Sequence, residues 1–153
     1  MARSYDAIII GAGQSGPFLA VRLAEAGRTV ALIEREHIGG TCVNNGCIPT
    51  KTMVASARAA HVARTAAKYG VTTGPVSVDY GVVKARRDEI VAGSVKGLVD
   101  WLDATKGITT IRGEGRFVAP YEIEVNGERL TAPQIFLNTG GRPMVPDWPG
   151  LGD

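Results

Sequence analysis

The sequence predicts an α/β fold in which a parallel β-sheet is combined with long helices and a small β-meander. Three observations predict it: strand and helix patterns alternate over the first 34 residues, two long helical patterns follow, and short β-branched runs separated by turns come last. The chain has 153 residues, of which 44% are hydrophobic. That length supports one core but not two ordinary domains, so we expect a single domain.

The N-terminal segment has the pattern of a βαβ unit. DAIII at residues 6–10 is a short β-branched run, and GAGQSG and the helical pattern PFLAVRLAEAG follow at once. Gly27 is suited to end this helix, and TVALIE at residues 29–34 has the length of a strand. These elements predict a buried parallel sheet.

The remainder predicts two neighbouring helices and then strands. Alanine-rich sequence ending at Gly70 predicts a helix over about residues 48–69, and apolar residues at three- and four-residue spacing predict another over about residues 80–104. From residue 107 onwards, β-branched runs broken by turn dipeptides predict a strand, a hairpin meander and a returning strand at residues 134–138. The closing VPDWPGLGD is typical of a linker.

Composition argues against nucleic-acid and membrane roles. The formal net charge is +2, from 17 basic and 15 acidic residues, and the basic residues form no run interleaved with aromatic ones, so we expect no nucleic-acid partner. The sequence has no signal-peptide pattern and no apolar segment of membrane-spanning length. A soluble, cytoplasmic protein is the expectation.

A glycine-rich loop predicts a dinucleotide site. Gly11, Gly13 and Gly16 form G-x-G-x-x-G between a predicted strand and a predicted helix, and Glu34 ends the next strand. The first glycine permits a tight turn, the second allows a pyrophosphate to approach the backbone, and the third allows helix and strand to pack closely. Glu34 is suited to a ribose 2′-hydroxyl. The loop leaves FAD and NAD open, and the alternative is a glycine-rich turn with a merely solvated Glu34.

Both cysteines of the chain, Cys42 and Cys47, lie in the run GGTCVNNGCIPTK at residues 39–51. In an ideal helix their Cα atoms would be about 8–9 Å apart, which exceeds the disulfide range, so a bond between them needs an irregular segment. A zinc site needs four ligands, and His37 and His61 lack the required spacing. We therefore expect no metal site, while a structural disulfide and two unrelated buried thiols stay as alternatives.

A redox pair is the interpretation that we favour. Cys47 lies near the start of a predicted helix, where the helix dipole stabilises a thiolate, and Lys51 adds a positive charge one turn later. A dithiol and its disulfide form a two-electron couple, which favours a flavin over a nicotinamide as the neighbouring carrier.

Several motifs resemble those of one enzyme family. GAGQSG, LIE and above all GGTCVNNGCIPTK closely resemble the flavin-dependent pyridine nucleotide-disulfide oxidoreductases, which include dihydrolipoamide dehydrogenase, glutathione reductase and mercuric reductase. RGEGRF and NTGGRP resemble later landmarks of the family's FAD domain. The resemblance implies a Rossmann-like FAD-binding domain over residues 1–143 that lacks its final strand. It implies that residues 144–153 begin a linker to an NAD(P)-binding domain absent from this chain.

The resemblance also implies roles for individual residues. Cys42 corresponds to the outer thiol that exchanges with substrate, Cys47 to the inner thiol in charge-transfer contact with the flavin, and Lys51 to a residue near flavin N5. Asn138 stands where the family often has alanine. The residues expected to bind FAD are Gly11, Gly13, Gly16, Glu34, Thr41, Lys51, Gly115, Thr139 and Gly140.

The implied function is NAD(P)H-dependent: two electrons pass from the nicotinamide to FAD, then to Cys42–Cys47, then to a small-molecule disulfide, a metal ion or a quinone-like substrate. The full-length parent is expected to be a homodimer whose catalytic His–Glu pair lies in a domain absent here. We therefore expect the isolated chain to bind FAD weakly or not at all and to be inactive. The alternatives are mercuric reductase, which would need a further cysteine pair, and a non-enzymatic nucleotide-binding thiol redox sensor.

Overall fold

The computed structural model describes residues 2–151, in which a βαβ unit is followed by helices and then by five strands. The strands are β1 Arg3–Ser4, β2 Ala7–Ile10, β3 Val30–Glu34, β4 Ile108–Arg112, β5 Arg116–Ala119, β6 Glu122–Val125, β7 Glu128–Thr131 and β8 Gln134–Leu137. The helices are α1 Gly16–Glu25, α2 Gly40–Asn44, α3 Cys47–Thr65 and α4 Tyr80–Ala104, and a 3₁₀ turn at Ala66–Tyr69 follows α3.

The main sheet is parallel and has the strand order β4-β3-β2-β8. In its register, Ile9 of β2 lies between Leu32 of β3 and Phe136 of β8. β3 and β4 follow β2 on one side, whereas β8 returns on its other side, so the strand order reverses beside β2. Open α/β sheets bind ligands at the carboxyl ends of the strands at such a point. The predicted parallel sheet and returning strand are confirmed.

Two hydrophobic cores cover the two faces of this sheet, because successive side chains of a strand point to opposite faces. Ile9 and Leu32 face α1 and α4, where Val21 and Leu102 belong to the same buried cluster. The other face packs on the meander, and that cluster includes Ile8, Ile10, Ile33, Ile123, Val125 and Leu130. The continuous apolar runs of β2 and β3 are therefore buried on both sides, as in other parallel sheets.

The second sheet contains the predicted meander and one strand that we did not predict. β5, β6 and β7 pair antiparallel, and the turn between β6 and β7 uses Asn126 and Gly127, both with positive φ. β1 adds to β7 in parallel, opposite Leu130 and Thr131. The two residues of β1, Arg3 and Ser4, are exposed and polar, so no hydrophobic pattern in the sequence indicates this strand.

One helix prediction needs correction, and one short helix was not predicted. The helix expected over about residues 48–69 begins one residue earlier, at Cys47, and its α-helical part ends at Thr65 before the 3₁₀ turn. The Thr65 hydroxyl donates to the His61 carbonyl, and Gly70 with φ 76° ends the turn. Helix α2 was not predicted, because its five residues are too few for a helical period.

Helices α3 and α4 pack against each other, as predicted, and the Arg86 guanidinium donates to the Thr52 carbonyl across this contact at 3.1 Å. Residues 138–148 have no regular secondary structure. The linker boundary at residue 144 stays a prediction, and residues 152 and 153 of that segment lie outside the described residues. None of the helices in the described part of the chain has the length and apolar character required to cross a membrane.

Candidate dinucleotide and thiol site

A cleft of about 270 Å³ opens at the carboxyl ends of β2, β3 and β8. Of the predicted FAD-binding residues, it is lined by Gly11, Gly13, Glu34, Thr41, Gly115, Thr139 and Gly140. Gly16 lies beneath the loop instead of lining the cleft, and Lys51 lies on α3 outside its lining. Segments far apart in the sequence therefore meet at one site, at the point where the strand order reverses.

Two glycines of the loop occupy positions where a side chain does not fit. Gly11 has φ 104°, and a Cβ atom there would overlap the carbonyl oxygen of Asn138. At Gly16, a Cβ atom would overlap the Gly11 carbonyl oxygen, so α1 can approach β2 closely only without that side chain. Gly13 has more room, since its Cβ would lie 3.4 Å from the Asn138 amide nitrogen. These contacts match the roles expected of the three glycines.

The loop leaves backbone amides unused. Within the described residues, the N–H groups of Gly13, Gln14 and Ser15 have no hydrogen-bond acceptor. Helix α1 starts directly after them, has Pro17 near its start and carries no acidic residue in its first turn. Free N–H groups and the positive end of a ten-residue helix favour an anion such as a pyrophosphate.

Glu34 is buried, with 9% of its surface exposed, and its carboxylate accepts two backbone hydrogen bonds. The Ala12 N–H donates to Oε2 and the Glu36 N–H donates to Oε1, each at 2.7 Å. An ionised carboxylate offers about four acceptor positions, so it can hold the loop and still accept from a ribose hydroxyl. The alternative of a merely solvated Glu34 is wrong, because the side chain is part of the loop's own structure.

A pair of glycines that our sequence analysis had not singled out joins the cysteine segment to the loop. The Gly39 N–H donates to the Ala12 carbonyl at 2.7 Å. Gly40 lies so close to the loop that a Cβ on it would be 2.7 Å from the Gly13 Cα. Gly39 and Gly40 both have positive φ. The signal was the doubled glycine before Thr41, which marks a turn in close backbone contact.

The two cysteines flank a break between two helices. Cys42 lies in α2 and Cys47 is the first residue of α3, while Asn45 and Gly46 between them are not helical. The irregular segment that a disulfide would require is therefore present. Both side chains are free thiols, Cys42 partly buried and Cys47 exposed. The Asn44 amide fixes the preceding turn by donating to the carbonyls of Ile38 and Gly40.

The thiols influence each other electrostatically. A hydrogen bond with the Cys47 side chain raises the pKa of Cys42, and desolvation raises it further. The Lys51 ammonium acts in the opposite direction and lowers the pKa of Cys42, as its position one helical turn after Cys47 suggests. The two thiols and the lysine therefore form one electrostatic unit.

The other candidate ligands do not come together. His37 lines the dinucleotide cleft, whereas His61 is exposed on α3. Among residues 2–151, the structure assembles no group of three or more His, Cys, Asp and Glu side chains suited to a metal ion. The cleft also contains residues that sequence reasoning missed, many of them neighbours of a predicted site residue: Ile10, Ile33, Arg35, Glu36, His37, Gly40, Asn44, Asn45, Gly113, Glu114 and Asn138.

A strand, a glycine loop and a helix at the reversal point, with an acid at the end of the next strand, define a Rossmann-like dinucleotide-binding domain. In this domain the segment that carries the two cysteines packs against the glycine loop through Gly39 and Gly40. A family model for pyridine nucleotide-disulphide oxidoreductases matches residues 5–153. The chain belongs to the pyridine nucleotide-disulphide oxidoreductase family.

Relatives and solved structures agree with this assignment. Dihydrolipoyl dehydrogenase of Acholeplasma laidlawii is 36% identical over 152 residues, covering 99% of this chain and 45% of that protein. Mercuric reductase of Staphylococcus aureus is 34% identical over 149 residues, covering 97% of this chain and 27% of that protein. The HOCl-induced flavoprotein disulfide reductase RclA from Escherichia coli has a TM-score of 0.76 at 35% identity, covering 97% of this chain and 31% of that chain.

The chain thus spans less than half of each of these proteins. A Cu(II) complex of the E. coli protein is also similar, with a TM-score of 0.76 at 34% identity, covering 98% of this chain and 31% of that chain. The similarity applies to the glycine loop, the cysteine segment and both sheets, because it covers almost the whole of this chain.

Proposed function

We propose that this chain is the FAD- and redox-disulfide-bearing part of an NAD(P)H-dependent flavoprotein disulfide oxidoreductase. The observation that carries the proposal is the contact between the cysteine segment and the glycine loop. The Gly39 N–H donates to the Ala12 carbonyl, and the Gly40 and Gly13 backbones touch. A pair of thiols that can form a disulfide and a dinucleotide cradle therefore belong to one packed unit.

The residues of the cleft fit FAD. The free amides of the loop suit its pyrophosphate, and the Glu34 carboxylate retains acceptor capacity for the adenosine ribose. In the proposed assignment Thr41, Gly115, Thr139 and Gly140 line the cofactor, and Lys51 lies near the flavin ring. FAD, when bound, supplies the two-electron exchange between a nicotinamide and sulfur.

The thiols would carry the second half of the reaction. A Cys42–Cys47 disulfide that accepts two electrons and two protons becomes two thiols, and it re-forms when those electrons pass to a disulfide substrate. We assign substrate exchange to Cys42 and contact with the flavin to Cys47. The Lys51 charge favours the thiolate form that thiol–disulfide exchange requires.

We propose that this chain acts as part of a larger parent, and an unpaired sheet edge supports this. Among the described residues, the outer edge of β8 has no neighbouring strand, and Leu137 on it is 65% exposed. We propose that the parent is a cytoplasmic homodimer that completes this sheet and adds an NAD(P)-binding domain and a dimerisation domain. Residues 1–143 would form the FAD domain, and residues 144–153 the start of the linker.

Reduction of a metal ion is a second candidate function. Mercuric reductase of S. aureus is among the relatives, and one of the similar solved structures is a Cu(II) complex of the E. coli protein. Two adjacent thiols are soft ligands that suit such ions. Metal-dependent oxidation of NAD(P)H that needs both cysteines would favour this candidate over a disulfide or quinone-like substrate.

Turnover tests the proposal. The 153-residue chain should show no NAD(P)H-dependent disulfide reduction, whereas the parent that contains it should, and Cys42→Ser and Cys47→Ser should each abolish that activity. Ser94→Ala in α4 is the control and should leave it unchanged. Activity that survives both cysteine substitutions would contradict the proposal. A stoichiometric yellow flavin with turnover in the isolated chain would contradict the proposal that the reaction needs further domains of the parent. A reversible thiol pair in a protein that binds no flavin would instead favour the redox sensor.

A further inference from the structure

We propose that Asn138 is a positioning residue that holds the glycine loop open for the cofactor pyrophosphate, an inference that rests on the function proposed above. Asn138 follows β8 directly and is separated from the loop by more than a hundred residues of sequence. None of the roles assigned above to the loop glycines, Glu34 or the cysteines involves its side chain.

The Asn138 side chain joins both ends of the loop. Its amide nitrogen donates to the Gly11 carbonyl at 3.0 Å, and its amide oxygen accepts from the Ser15 hydroxyl at 2.8 Å. Its backbone N–H donates to the Ile10 carbonyl at 2.8 Å. Because the Gly11 carbonyl can only accept, the nitrogen of the amide must face it. One side chain therefore fixes the separation of the first residue of the loop from the last residue before α1.

This arrangement also occupies the Ser15 hydroxyl. Ser15 is the N-cap residue of α1, a position where a serine side chain commonly accepts a hydrogen bond from an amide of the first turn. Here it makes no such bond, and it donates to Asn138 instead. The Gly16 N–H already donates to the Gly13 carbonyl and Pro17 has no N–H, so Phe18 carries the first-turn amide that a capping Ser15 would have used. That amide stays available to an anion such as a pyrophosphate, together with the free amides of the loop.

Both functions of the amide are required at this place. An aspartate would still accept from Ser15, but it could not donate to the Gly11 carbonyl and would bring a negative charge beside that oxygen. Alanine would remove both hydrogen bonds and return the Ser15 hydroxyl to the helix end. Asn138→Asp should therefore disturb the loop more than Asn138→Ala.

Asn126 offers a matched control. Its side-chain amide also donates to a backbone carbonyl, that of Arg112, at 2.7 Å. Asn126 lies in the β6–β7 turn and packs behind Gly113, but it does not itself line the cleft or touch the glycine loop. Asn126→Asp makes the same chemical change as Asn138→Asp. In both variants a backbone carbonyl loses its side-chain donor, so the two variants make the same chemical change at different positions in the fold.

Hydrogen exchange in the chain without FAD is the first test. The amides of Ala12, Gly16 and Leu19 are hydrogen-bonded in and around the loop, and their exchange should be about tenfold faster in Asn138→Asp and about threefold faster in Asn138→Ala. In Asn126→Asp they should exchange as in the unchanged chain. Equal exchange of these amides in Asn138→Asp and Asn126→Asp would overturn the inference, whether or not the chain binds FAD.

FAD titration, followed by flavin fluorescence, is the second test. In the parent that contains this chain, Asn138→Asp should weaken FAD binding about tenfold. Asn126→Asp should leave the affinity unchanged, even when both variants lower the melting temperature to the same extent. If FAD affinity falls in both variants in proportion to their loss of melting temperature, the positioning role of Asn138 is overturned. If the unchanged parent binds no FAD, the proposed function fails, while the exchange measurement still decides whether Asn138 holds the loop.

Discussion

Two regions of the molecule are built in different ways: the sheet half, which is the main parallel sheet with α1 and the meander, and the helical pair, which is α3 and α4. Every residue of β2 and β3 is buried, whereas Thr52 is the only buried residue of the 19 in α3 and Leu102 the only one of the 25 in α4. The sheet half contains the glycine loop, and the helical pair begins at Cys47. The first region therefore fixes its own conformation, and the second has surface available for further contacts.

The contacts around the two functional elements differ in the same way. Around the glycine loop, backbone meets backbone at Gly11, Gly16 and Gly40, with no room for a side chain. Between α3 and α4, a connection comes from the long side chain of Arg86, which reaches the Thr52 carbonyl. The glycine loop is therefore held rigid by close backbone contacts that leave no room for side chains, whereas the helix that begins at Cys47 is held by flexible side chains.

Glycine substitutions should give the largest contrast between the regions. Gly11→Ala would bring a Cβ into the Asn138 carbonyl oxygen at positive φ, and we expect it to lower the free energy of unfolding by about 4 kcal/mol. Gly93 in α4 has open space around it, so Gly93→Ala should raise the free energy of unfolding by about 0.5–1 kcal/mol. Urea denaturation measures both, and equal effects of the two changes would remove the contrast.

Truncation of apolar side chains should give the next largest contrast. Leu32 in β3 is fully buried, and Leu32→Ala should cost about 3 kcal/mol because it removes contacts and leaves a cavity. Val54 in α3 is 58% exposed, so Val54→Ala should change stability by less than about 0.5 kcal/mol. Thermal unfolding followed by circular dichroism would measure both. A large loss in Val54→Ala would show that the helical pair is more tightly packed than its exposure indicates.

Glu34 connects the stability of the cradle with its function. Glu34→Gln keeps one acceptor but turns an NH₂ group toward a backbone N–H, and we expect it to cost about 2 kcal/mol. Glu36→Gln is the control, because Glu36 is exposed and makes only a surface ion pair with Arg35, so its cost should be below about 1 kcal/mol. Denaturant midpoints measure the difference, and equal midpoints would show that the buried carboxylate does not support the loop.

The thiols should show the smallest effect, a shift in pH dependence. Hydrogen bonding with Cys47 raises the pKa of Cys42, so alkylation of Cys42 in the reduced chain should rise at higher pH than the value of about 8.5 typical of a free cysteine. Cys47→Ala should move this rise to lower pH, and Lys51→Gln should move it to higher pH, because the ammonium lowers the pKa. The rate of Cys42 modification by iodoacetamide, followed against pH in each variant, measures these shifts. An unchanged profile in Cys47→Ala would contradict the coupling.

The sequence predicted the parts of the fold that rest on local pattern. The apolar runs of β2 and β3 and the spacing of G-x-G-x-x-G each belong to one continuous segment, and the structure confirms the elements that they indicated. The pairing of β1 with β7 was missed, because it joins two exposed residues to a strand near the other end of the chain.

The candidate site divides in the same manner. Most of the predicted FAD-binding residues line the cleft, although Gly16 and Lys51 do not. The docking of Gly40 on Gly13 and the bonds of Asn138 to Gly11 and Ser15 were not predicted. Each of these contacts depends on the distance between segments that only the folded chain brings together. A glycine or an asparagine in the sequence does not reveal which distant backbone it meets.

A thiol count combined with an absorption spectrum tests the central claim most directly. In the air-oxidised parent that contains this chain, with FAD bound, we predict that Cys42 and Cys47 give almost no free thiol and that mild reduction frees both. We also predict a long-wavelength absorption band that appears on reduction and is lost in Cys47→Ser. Reoxidation should remove the thiols again. Free thiols at Cys42 and Cys47 in the oxidised parent, with no change on reduction and no such band, would contradict the account.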